Sequence, residues 1–363
     1  MTREGFVRFR GMRTWYRVVG DLDSGRTPLL LVHGGPGIPS DPFEPLEALA
    51  EAGRPVVRYD QIGCGRSDRP RDPALWTVDT FLDELRTVRR ELGLDRVNLL
   101  GWSWGGMLAL AYALEQPAGL QSLVLASAPA SAPLWVAETR RLRDQLPPHV
   151  VAAMRRFEDH HRPRRRRRRA RVSRGVPTWR GQAIAAASRP LFALLATAPA
   201  VRAAAAASRI PPLRRASYEL VGIEFTTRHL IRRPAMRTPL CFFRSFAGMN
   251  RQVYEAMWGP SEFLGTGLLR HWDVSERLPE IGIPTLITSG RHDEATPVQM
   301  QLLRDRIPDS EWVLFEDSAH AALAEEPECY RAVLEGFLGR VEQVPRSNGR
   351  AHDLPSPQRV GSR

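Results

Sequence analysis

Lysine is absent from the 363-residue chain, so every one of its 52 cationic side chains is arginine. Cysteine is scarce. Cys64, Cys241 and Cys329 are too few and too scattered for a disulfide framework or a zinc site. No apolar run reaches the roughly 20 residues that a spanning helix needs, and the longest, near Pro190–Val201, is bounded by arginine. Met1–Arg17 holds no apolar h-region, so no secretory signal is read there and a cytoplasmic protein without a membrane span is expected. A G-x-G-x-x-G fingerprint and a metal-ligand cluster are also missing, so neither a cofactor nor a metal is implied.

Charge is present in plenty but unevenly placed. The formal total is +12. The stretch His161–Ala216 alone carries 15 arginines and no acid, which leaves the rest of the chain at −3. The total therefore describes a slightly acidic body with one basic segment, and does not by itself point to nucleic acid. Within that segment the aromatics that would stack on bases are reduced to Trp179 and Phe192. Its Arg/Ala/Pro composition, without a sustained amphipathic period, predicts a surface loop. An accident of GC-rich coding, or nonspecific phosphate contacts through Arg164–Arg169, are the other readings.

With 43% hydrophobic residues a sizeable core is expected. Short apolar runs alternate with helical patterns. Leu29–His33, Val56–Asp60, Val97–Gly101 and Leu120–Ala126 read as buried strands, and Val78–Leu92 and Met107–Leu114 as helices. The alternation stops near Ala130 and resumes with strand Pro284–Ser289, helix Pro297–Arg306, strand Trp312–Phe315 and helix Pro327–Leu338. Between them helical signals dominate. The pattern predicts an α/β fold in which a mostly parallel sheet, covered on both faces, is interrupted by a helical cap. The expected division is a core over 1–133 and 272–340, a cap over 134–271 containing the basic insert at about 161–216, and a disordered tail over 341–363.

The strongest chemical signal is Gly101-Trp102-Ser103-Trp104-Gly105-Gly106, between a strand and a helix. This is the setting of a G-x-S-x-G nucleophile elbow, in which small residues let strand and helix approach while the serine hydroxyl stands clear of the sheet. A serine needs a base and an orienting acid, and in this arrangement the acid precedes the base in the chain. Asp293 lies just past strand Pro284–Ser289, with Glu294 and Asp317 as the neighbouring acids that could be mistaken for it. His320 lies just past the next strand. A tetrahedral intermediate also needs preorganised donors. The expected donors are the backbone N–H of Trp104 and that of Gly35, in the turn His33-Gly34-Gly35-Pro36-Gly37.

Taken together, HGGPG, Tyr59-Asp60-Gln61-Ile62-Gly63-Cys64-Gly65-Arg66-Ser67-Asp68, GWSWGG and Gly290-Arg291-His292-Asp293-Glu294-Ala295-Thr296-Pro297 resemble the proline iminopeptidases (prolyl aminopeptidases) of the α/β-hydrolase superfamily. The likeness covers about Pro28–His160 and Ser217–Leu338 and is densest over Val253–Pro297. It implies a cofactor-independent serine peptidase that frees an N-terminal residue, preferably proline, from small peptides. Ser103 would be the nucleophile, Asp293 the acid and His320 the base. The resemblance also implies cap glutamates that hold the substrate's amine, and Gly259-Pro260-Ser261-Glu262-Phe263 places Glu262 at one such position. A second falls before His229-Leu230-Ile231-Arg232, where this chain has Ser217, and Glu219 and Glu224 are the nearest substitutes. The expected partners are small peptides with a free N-terminus, with no specific nucleic acid, and a monomer would suffice. The alternative is an esterase or amidase on the same scaffold, because fold and triad do not fix the substrate.

Overall fold

The computed structural model describes residues 1–161 and 190–343. The core is one eight-stranded sheet in the order β1-β2-β4-β3-β5-β6-β7-β8. Strands β3 (Leu29–Val32), β4 (Val56–Tyr59), β5 (Val97–Trp102), β6 (Leu120–Ala126), β7 (Thr285–Gly290) and β8 (Ser310–Phe315) run parallel to one another. The central strands are buried along their whole length, yet they still sort their side chains by parity. Leu30, Val32, Val97 and Leu99 join one core layer, with helix α1 (Val78–Glu91) and helix α2 (Trp104–Ala113). Leu29, Leu31, Leu100 and Trp102 face the other layer, with Phe43, Leu46, Tyr330 and Leu334. That second layer comes from the 3₁₀ segment Asp41–Ala52 and the closing helix Pro327–Gln343. Arg54, fully buried, ties strand and closing helix together through Glu335 (3.1 Å) and Glu342 (2.6 Å).

The sequence pattern missed the first two strands. β1 (Thr2–Phe9) and β2 (Met12–Val19) form an antiparallel hairpin whose turn residues Arg10 (φ 48°) and Gly11 (φ 79°) are both left-handed. This is the two-residue turn that matches strand twist. The alternation is there, with Val7, Phe9, Trp15 and Val18 buried, but arginines at 3, 8, 10, 13 and 17 mask it.

The chain leaves the sheet after β6 and returns before β7. The two crossing points lie side by side: Ala132 N–H donates to the Trp272 carbonyl (2.9 Å) and Val274 N–H to that of Ala130 (2.9 Å). Helices α3 (Ala132–Arg143), α4 (Pro148–His161), α5 (Ala198–Ala207), α6 (Arg214–Phe225), α7 (Leu240–Ala247) and α8 (Arg251–Met257) lie between those crossings. Several of them share a small core of their own, in which Leu142, Val150, Met154, Val201, Ala204, Val221, Phe225 and Phe263 meet. Here the expectation of a loop over 161–216 needs correction. Ala198–Ala207 is a helix and buries Val201, Ala204 and Ala205. Small alanines allow close helix approach, and their helix propensity outweighs the low-complexity look of the sequence. Of that stretch 162–189, and of the expected tail the part from 344 onward, lie outside the described residues.

Candidate active site

Strand order fixes where chemistry can sit. From β3 the chain moves to β4 on one side and then back to β5 on the other, so the carboxyl ends of β3 and β5 flank a topological switch point. The HGGPG turn and Ser103 leave the sheet at this point.

Ser103 has φ 57° and ψ −120°, a strained conformation for a residue with a side chain. The glycines around it permit it. A Cβ on Gly105 would overlap the Val32 carbonyl oxygen, one on Gly101 the Gly105 carbonyl oxygen, and one on Gly106 the Ala128 side chain. Strand, turn and helix thus pack backbone on backbone, with Ser103 half-buried at the N-terminus of α2. The first N–H groups of a helix lack intrahelical acceptors, which leaves the Trp104 N–H free to serve an oxyanion.

The Gly-rich turn lies against this elbow. A Cβ on Gly34 would come within 3.2 Å of the Ser103 Cβ. Gly35 sits at φ 121°, and a Cβ there would press on the Ile38 and Gly37 nitrogens, so the position requires glycine. A buried brace fixes its height. Gln61 N–H donates to His33 Nε2 (2.9 Å), and the Gln61 Oε1 accepts from Trp104 Nε1 (2.9 Å). Burial holds the His33 imidazole pKa down, so the ring is neutral and can accept. Asp60 binds the same turn from the other side, accepting from Ser40 N–H (2.9 Å), Ser40 Oγ (2.6 Å) and Arg66 N–H (2.8 Å). The DQ-x-G-x-G-x-S segment is thus the support beneath the HGGPG turn.

His320 Nδ1 lies 2.7 Å from Asp293 Oδ1. Asp293 is 2% exposed, and it also accepts from Ser127 Oγ (2.6 Å) and Ala295 N–H (2.7 Å). A carboxylate at Nδ1 sets the tautomer with the proton there and leaves Nε2 as the acceptor. The ring itself is held between Trp102 and Trp135, at centroid separations of 5.4 and 5.7 Å. Trp102 Nε1 also donates to the His320 carbonyl (3.0 Å), which fastens the histidine loop to the residue preceding Ser103.

Two more carboxyl groups lie near the imidazole, Glu294 buried and Glu262 half-buried. Glu262 accepts from Trp135 Nε1 (2.9 Å) and from the Tyr254 hydroxyl. Glu294 Oε1 is 3.8 Å from His320 Nε2, and its Oε2 has no hydrogen-bond partner. Burial pushes both pKa values up, and for Glu294 the charges of Glu262 and Asp293 push further. Both line a cavity of about 300 Å³ that extends into the cap. An unpartnered acceptor in an acidic pocket is a site for a cation. Among the described residues no cluster of His, Cys, Asp and Glu is arranged to hold a metal ion.

A family model for the alpha/beta hydrolase fold matches residues 27–327. The chain is 38% identical over 344 residues to the proline iminopeptidase of Levilactobacillus brevis, covering 94% of this chain and 98% of that one. The chain belongs to the proline iminopeptidase family of alpha/beta hydrolases. Among solved structures, the proline iminopeptidase of Mycobacterium smegmatis is 33% identical with a TM-score of 0.73, covering 94% of this chain and 99% of that one. VinJ is 35% identical with a TM-score of 0.75, covering 93% and 99%. Among the described residues no helix is long and apolar enough to cross a membrane.

Against this proline iminopeptidase frame the expected residues divide in two. Asp293 pairs with His320, whose ring packs on Trp102, the neighbour of Ser103; Glu262 is tied to Trp135 on the same ring; and Gly35 lies in the turn against the elbow, with Trp104 opening the helix after it. Glu219 does not join them. It is about half exposed and paired with Arg215 (3.3 Å) and Arg251 (2.7 Å) at the cavity's outer rim. Glu224 pairs with Arg228 along the helix. The second carboxyl near the imidazole is Glu294, which the sequence presents only as a neighbour of Asp293. The signal was the acidic doublet at a strand end, where consecutive side chains point to opposite sides.

Proposed function

We propose that the chain is a serine aminopeptidase that releases an N-terminal residue, proline foremost, from small peptides. The observation that carries this is the pair of carboxyl groups Glu262 and Glu294 lining one cavity, with Glu294 Oε1 3.8 Å from His320 Nε2. A protonated N-terminal proline carries two N–H donors, and two carboxylates can each accept one. A charge-assisted bond in such a site is stronger than in water. A neutral ester has no use for either carboxylate, so the esterase reading is the weaker one.

The geometry supports the following course of reaction. The ammonium rests between Glu262 and Glu294, bringing the carbonyl of the first residue over Ser103. His320 Nε2 takes the hydroxyl proton as Oγ bonds to that carbon, while Asp293 stabilises the imidazolium at Nδ1. The N–H groups of Gly35 and Trp104 receive the oxyanion. His320 then gives its proton to the departing amine as the C–N bond breaks. A water repeats the sequence on the acyl-enzyme and frees the amino acid. No cofactor takes part in these steps.

The test is hydrolysis of a prolyl arylamide by the purified chain, by Ser103→Ala and with the N-acetylated substrate. Turnover that disappears in both controls is expected. Equal turnover of the acetylated compound would refute recognition of the free amine.

A further inference from the structure

The cavity bordered by Glu262 and Glu294 does not end at the carboxyl groups. Its volume of about 300 Å³ is that of a small-molecule pocket, and its lining continues beyond the two carboxyl groups into the cap. The walls deeper in the cap are apolar and aromatic: Met154, Phe157, Tyr218 and Phe225. Phe157 stacks on Tyr218 at 4.3 Å and Phe225 meets Phe263 edge-on at 4.9 Å, so the walls are fixed by their own packing. At the outer rim Arg215 pairs with Glu255 (2.7 Å) and Arg251 with Glu219 (2.7 Å), so the opening offers no unbalanced charge to a charged side chain.

One residue keeps this space open. Gly222 lies on α6 and lines the cavity, and a Cβ built there meets nothing within 4 Å. A glycine inside a helix costs about 1 kcal/mol against alanine, and its φ lies outside the left-handed range, so the backbone does not call for it. The room it leaves is the one thing the residue supplies.

We propose that this cavity receives the side chain of the substrate's N-terminal residue and admits large apolar residues, phenylalanine and leucine, alongside proline, with Gly222 setting the size limit. The proposal rests on the aminopeptidase reading above. The amine is held at the two carboxyl groups, the scissile carbonyl faces Ser103, and the side chain extends past Glu262 towards Phe157 and Phe225.

The experiment compares kcat/KM for prolyl, alanyl, leucyl and phenylalanyl arylamides in the unaltered chain, in Gly222→Ala and in Gly222→Phe. The unaltered chain is expected to turn over the phenylalanyl compound within about tenfold of the prolyl one. Filling the cavity with Gly222→Phe is expected to lower the phenylalanyl-to-prolyl ratio at least tenfold, the scale on which apolar pockets discriminate by size. Gly222→Ala, which adds one methyl group in open space, controls for folding, and each variant's melting curve is recorded beside its kinetics. Turnover of prolyl and alanyl substrates alone overturns the proposal while leaving the aminopeptidase reading intact. A ratio unaltered in a folded Gly222→Phe overturns it as well. Failure of the unaltered chain on every arylamide overturns the aminopeptidase reading and the proposal together.

Discussion

Replacing Glu294 by glutamine tests the charge logic of the site most directly. The side chain is buried, its Oε2 is unpartnered, and Glu262 and Asp293 raise its pKa further. The amide keeps the shape and removes the charge. A hydrogen bond to a charged group is worth about 1.5–3 kcal/mol, and at 1.4 kcal/mol per factor of ten its loss raises KM for a prolyl arylamide by roughly 10- to 150-fold. The pH profile supplies a second readout. A carboxyl with a raised pKa keeps its proton to higher pH than a free one, so ammonium binding must first release that proton. In the unaltered chain kcat/KM therefore climbs with pH up to the raised pKa, and the climb is shallower in Glu294→Gln. The free protein responds in the opposite sense. A raised carboxyl pKa means stability is full below the unfolded-state pKa and declines as pH rises through the folded value, so the variant's melting temperature should fall less than the parent's as pH rises. Steady-state kinetics between pH 5.5 and 9, with melting curves at the same points, measure both. An unaltered KM, or an equal rise in KM for a neutral ester, would refute the reasoning.

Three further outcomes follow from single contacts. Asp293→Asn is expected to lower kcat by about 10⁴-fold, because an amide no longer sets the His320 tautomer; single-turnover hydrolysis measures it. Gly105→Ala places a methyl group on the Val32 carbonyl and should cost about 3 kcal/mol or more, read from the urea midpoint against the parent chain. Glu84 is fully buried, accepting from Thr14 Oγ1 (2.5 Å) and Ile62 N–H (2.8 Å), and burial pushes its pKa up to about 8. Its contribution is full below the usual carboxylate range and is lost as pH rises through 8, at about 1.4 kcal/mol per unit or less. Glu84→Gln should flatten the melting temperature between pH 6 and 9.

Much of this was legible in the residues because the physics was local. Buried parallel strands read as short apolar runs, and β6 and helix Pro297–Arg306 fall where the pattern put them. The elbow and the Gly-rich turn were legible because only glycine tolerates the backbone contacts made there. What escaped depended on contacts distant in sequence. The hairpin Thr2–Val19 escaped because five arginines interrupt its apolar alternation. The alanine helix Ala198–Ala207 escaped because its burial comes from neighbours elsewhere in the cap. Glu294 escaped because its role depends on Glu262, which meets it only after folding.

Asp293 and Glu294 are consecutive, yet one meets His320 at Nδ1 and the other approaches Nε2. A single stretch of backbone therefore grips both edges of the imidazole. In the proposed mechanism any shift of that loop disturbs proton transfer and amine recognition at once, so selection has little freedom to retune one without losing the other. New substrate preferences in this lineage would have to arise on the cap wall, at positions such as Gly222, where a side chain can be gained or lost without touching the loop that does the chemistry.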